Sequence, residues 1–107
     1  MHDALPLLTA VRGVVGTHAA APRVLLVSPD LERHTEDAAR AAWSRRVPFA
    51  ALCADLGRVA VECLPHDRCA AVAVGQAMTR WAARAYQHSV GSWRVRRVAA
   101  GRAARNV

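Results

Sequence analysis

The sequence predicts an α/β fold: a three-layer α/β/α sandwich with a small mixed sheet and a basic C-terminal extension. Three observations carry that prediction. Short, unbroken apolar runs stand at Arg23–Val27, Phe49–Cys53 and Cys69–Val74, and such runs suit strands buried on both faces. Segments of helical periodicity lie between and around them. Alternation of the two kinds of element is what a sheet covered by helices requires.

The first element is a helix from about Ala4 to Val14. Leu5, Leu8, Val11 and Val15 recur at helical spacing, with Arg12 between them. Pro6 fits in the first turn, where a missing N–H costs little, and Gly13 and Gly16 mark the end. A connector, His18–Pro22, leads to the first strand, Arg23–Val27. Ser28 or Asp30 then caps a second helix, and Glu32 adds negative charge to its first turn. Leu31, Thr35, Ala38, Ala42 and Trp43 form its inner face, and Pro48 stops it near Arg46.

Phe49–Cys53 reads as the second strand. Ala54–Glu62 fits either a short helix carrying Leu56, Val59 and Ala60 or a hairpin turning at Asp55-Leu56-Gly57. Leu64–Arg68 reads as a polar loop and Cys69–Val74 as the third strand. A long helix, Gln76–His88, follows. Its inner stripe is Met78, Trp81, Ala82, Ala85 and Tyr86, with Arg80, Arg84 and Gln87 opposite. The reading divides the chain into a sandwich domain, residues 1–90, and an Arg-rich tail, residues 91–107.

Composition sets the function class. The chain has 107 residues, is 53% hydrophobic and carries a net charge of +7. That length suits one domain with a real core. All fifteen basic side chains are Arg. Codon bias explains Arg over Lys, but not the excess of base over acid. A pI near 11.2 points to an anionic partner, most often nucleic acid. No apolar run reaches the roughly 18 residues of a membrane span, and the N-terminus lacks a basic region typical of a secretory signal. An intracellular protein without a membrane partner is expected. Three cysteines, Cys53, Cys63 and Cys69, fit reduced thiols better than a disulfide framework. Cys63, His66 and Cys69 lack the paired spacing of structural zinc, so neither metal nor cofactor is expected.

Taken in order, Arg23–Val27, the acid-Pro helix start Ser28-Pro29-Asp30, Val47-Pro48-Phe49, Leu56-Gly57-Arg58, the loop Glu62–Arg68 and Cys69–Val74 resemble the kink-turn-binding ribosomal protein superfamily, of the L-seven-Ae and L-thirty-e type. The resemblance implies a helix at Ala54–Glu62. It also implies a loop before the last strand that cradles an extruded base, which maps onto Leu64, Pro65, His66 and Arg68. The family's Asn-Glu signature for sheared G·A pairs has no counterpart in this sequence.

The residues themselves offer three RNA-contact regions. The first helix presents its N-terminal amides and Arg12. The loop offers Leu64 and Pro65 as apolar walls for an unstacked base, with His66 and Arg68 for phosphate. The tail combines Trp93 with Arg94, Arg96, Arg97, Arg102 and Arg105, ring stacking with phosphate pairing. No nucleophile–base arrangement or glycine-rich phosphate loop stands out. The sequence therefore reads as a non-catalytic RNA-binding subunit, and the resemblance implies a ribonucleoprotein particle as its host: a ribosome, a ribonuclease P or a small nucleolar particle. It would bind structured RNA, ribosomal or other non-coding, beside neighbouring proteins. A protein–protein adaptor and a small nuclease are the alternatives.

Overall fold

A computed structural model describes residues 5–105, with side chains for residues 7–90, and it corrects the predicted fold class. Helix α1 spans Leu5–Thr17, a 3-10 helix Pro22–Val27, α2 Pro29–Ser44, α3 Phe49–Cys63 and α4 Arg68–Arg105. The described residues contain no strand. The fold is an all-α bundle, and no α/β/α sandwich is present among them.

Each of the three expected strands is helical for a local reason. In the 3-10 helix, Pro22 starts the turn and only Leu25 is buried; Val24, Leu26 and Val27 face outward. A strand buried on both faces would have hidden all four. Phe49–Cys53 is the first turn of α3, because Leu52 continues into Leu56, Val59 and Ala60, all buried at successive steps of four, three and one. Cys69–Val74 opens α4. There Ala71 and Val74 join Met78, Ala82 and Ala85 on the buried side, while Val72 is about half exposed. The open choice at Ala54–Glu62 resolves as helix within α3.

Helix starts follow the expected chemistry. The Ser28 hydroxyl accepts from the Leu31 N–H at 3.2 Å, with Pro29 at the first helical position and Asp30 and Glu32 in the first turn. At α4, the Asp67 carboxylate accepts from the Ala70 N–H at 2.9 Å. Helix α1 runs on past Gly13 and Gly16 to Thr17.

The core is one cluster drawn from every element. Val11 and Val15 of α1, Leu25, Leu31 of α2, Leu52 and Leu56 of α3, and Val74 and Met78 of α4 are its largest fully buried members. Each such side chain contributes roughly 1.5–3 kcal/mol on burial. Helix α2 presents Ala38, Ala39 and Ala42, small residues that let it lie close to its neighbours. Trp43, Phe49 and Tyr86 pack ring to ring, with centroids 5.6 Å and 5.0 Å apart. Helix α4 has 38 residues, against 16 for α2 and 15 for α3. At 1.5 Å per residue it is about 57 Å long, which makes it the long axis of a molecule 62 × 29 × 19 Å in extent.

Candidate nucleic-acid interface

Charge is segregated along this chain by element. Residues 1–67 hold seven Arg and all eight acids, whereas α4 holds eight Arg and neither Asp nor Glu. The excess of positive charge therefore belongs to one helix. Arg near a helix C-terminus also complements the helix dipole.

The acids of the smaller helices are already matched. Asp30 pairs with Arg33 at 2.6 Å and with His34 at 3.4 Å. The Arg33 hydrogen bond, chiefly, holds the Asp30 carboxyl below its ordinary range. Arg40 meets Glu36 at 3.8 Å and Asp37 at 3.5 Å. Asp55 pairs with Arg58, and Glu62 with Arg12 at 3.3 Å. Glu32 and Glu36, one turn apart on α2, both bind Arg84 of α4. Those hydrogen bonds, Glu36 first, raise the Arg84 pKa further. Exposed pairs of this kind add little stability; with these acids matched, the net positive charge of the chain resides on α4.

Helical register arranges the Arg of α4. At about 100° per residue, positions 80, 84, 94, 102 and 105 fall within about 80° of one another. The buried residues Ala71, Met78, Ala82 and Ala85 fall on the opposite side. Arg80 is exposed, and no acid among the described residues pairs with it. Positions 80 and 105 lie about 38 Å apart along the axis.

The sequence-derived candidates separate in this structure. Arg12 is on α1 and engaged by Glu62. Leu64 is 4% exposed and belongs to the core, so it cannot wall an exposed base. Pro65 and His66 are exposed in the α3–α4 turn, and Arg68 is the first residue of α4. Trp93, Arg94, Arg96, Arg97, Arg102 and Arg105 all belong to α4; their side chains lie outside the described residues. The helix passes through Gly91 without a break, so the 90/91 boundary is not a boundary of secondary structure. Arg80 is the residue sequence reasoning missed. Its signal was the absence of any acid after Asp67, hidden by reading Gly91 as the end of a domain.

Other features offer less chemistry. A groove between the 3-10 helix and the start of α4 is lined by Pro22, Val24, Leu26, Ala70 and Ala73. Among the described residues no three His, Cys, Asp or Glu side chains group to hold a metal, and no helix is long and apolar enough to cross a membrane. Searches against family models, curated proteins and solved structures find no match.

Proposed function

We propose that this chain is a non-catalytic nucleic-acid-binding module whose binding surface is α4. The observation that supports the reading is the segregation of charge: eight Arg and no acid on one helix, and paired acids elsewhere. A row of guanidinium groups neutralises phosphates and releases their counterions, which favours binding to any polyanionic backbone. The likeness to kink-turn readers depended on an order of strands. Those strands are helices, so the likeness supports neither a kink-turn nor a particular particle, and the reading here rests on charge and shape alone.

The test is fluorescence anisotropy of a labelled nucleic acid against the full chain, with salt raised from about 50 to about 200 mM. Log affinity falling linearly with log salt is the expected result. Binding that ignores salt, or no binding at the lowest salt, would sink the reading.

A further inference from the structure

We propose that the ligand of α4 is double-stranded B-form DNA, held through its phosphates; this rests on the nucleic-acid reading above. Shape is the first ground. An α-helix with its side chains is about 10–12 Å across, and the major groove of B-DNA, about 12 Å wide, admits it. The deep, narrow major groove of A-form RNA does not.

The second ground is where the aromatic rings are. Proteins that hold single strands stack bases on exposed rings. Trp43, 36% exposed, lies on α2 and packs with Phe49 and Tyr86, and Trp81 packs against the core. Position 93 carries the remaining Trp, and it falls about 140° round the helix from position 80. The Arg stripe therefore has phosphate-binding groups without a stacking platform.

The experiment compares four labelled probes with the full chain at one salt: a DNA duplex of about 24 base pairs, roughly two turns, the same duplex as RNA, and each single strand. The DNA duplex is expected to bind at least about 10-fold tighter than either single strand, and tighter than the RNA duplex. The triple substitution R94Q/R102Q/R105Q removes three guanidinium groups from the stripe. It should make the log–log salt slope shallower by about 2.7, at about 0.9 for each phosphate no longer neutralised. Equal or tighter binding to single strands, or to duplex RNA, overturns the duplex DNA proposal and leaves the nucleic-acid reading standing. An unchanged slope in the triple variant overturns the stripe as the DNA-binding surface. No binding to any probe overturns both readings.

Discussion

The Tyr86 hydroxyl donates to the Val47 carbonyl at 2.8 Å, tying α4 to the connector between α2 and α3. The two residues are far apart in sequence, and the bond closes the ring cluster of Trp43, Phe49 and Tyr86. Tyr86→Phe keeps the ring and removes the donor, leaving the Val47 carbonyl without it. A loss of about 1–2 kcal/mol is expected. Urea unfolding of the variant beside the parent chain measures it, and an unchanged midpoint would dismiss the bond as a tie.

Arg46, next to that carbonyl, has φ +61°. It occupies the left-handed position just past the end of α2. The Val47 N–H reaches the Ala42 carbonyl at 2.9 Å and the Arg46 N–H reaches the Trp43 carbonyl at 3.0 Å, the paired bonds of a Schellman motif. Glycine suits that backbone; a side chain there costs about 1–2 kcal/mol. Arg46→Gly is expected to stabilise the chain by about 1 kcal/mol, less the greater freedom of Gly in the unfolded state. A melting temperature that falls would contradict this.

Thr35 is fully buried on α2, and its hydroxyl has no hydrogen-bond partner among the described residues. An unsatisfied buried hydroxyl costs about 1–3 kcal/mol. Thr35→Val replaces it with a methyl of similar size and should raise stability by about 1 kcal/mol. Equilibrium unfolding decides the sign.

Alkaline pH should weaken the fold. Burial pushes the thiols of Cys53 and Cys63 above their ordinary value of 9.0, and the Tyr86 phenol above 10.0. A raised folded-state pKa means the fold holds protons that the unfolded chain has released. Stability from these groups is whole below the unfolded values and is lost as pH rises through the folded ones. Unfolding midpoints should hold up to about pH 9 and decline above it. Serine at positions 53 and 63 should reduce the earlier part of that decline.

Arg84 sits in the Arg stripe but is held by Glu32 and Glu36. Replacing both acids with Gln releases it. The double variant is expected to bind DNA more tightly, with a log–log salt slope steeper by about 0.9, one further phosphate neutralised. An unchanged slope would place Arg84 outside the DNA-binding surface.

Much of the molecule was legible in the residues. The cap at Ser28, the stop at Pro48, the inner face of α2 from Leu31 to Ala42, that of the middle of α4, and the basic character of the C-terminal end all follow from local rules, whereas Trp43, expected on the inner face, is 36% exposed. The site was half legible. The Arg from 94 to 105 stood out by density, whereas Arg80 did not, because its membership depends on an unbroken helix through Gly91. Glycine inside a helix costs only about 1 kcal/mol relative to Ala, too little to stop one.

By itself the sequence determined where α2 begins, which residues are apolar and that one end of the chain is positive, because capping, burial and charge act over a turn or less. Only the tertiary structure decided whether Arg23–Val27, Phe49–Cys53 and Cys69–Val74 are strands or helical turns. Runs of four to six apolar residues satisfy either geometry. What separates them is the neighbour each side chain meets. Ala71 and Val74 meet the core while Val72 stays outside, and that pattern exists only once α2 and α3 have packed against α4.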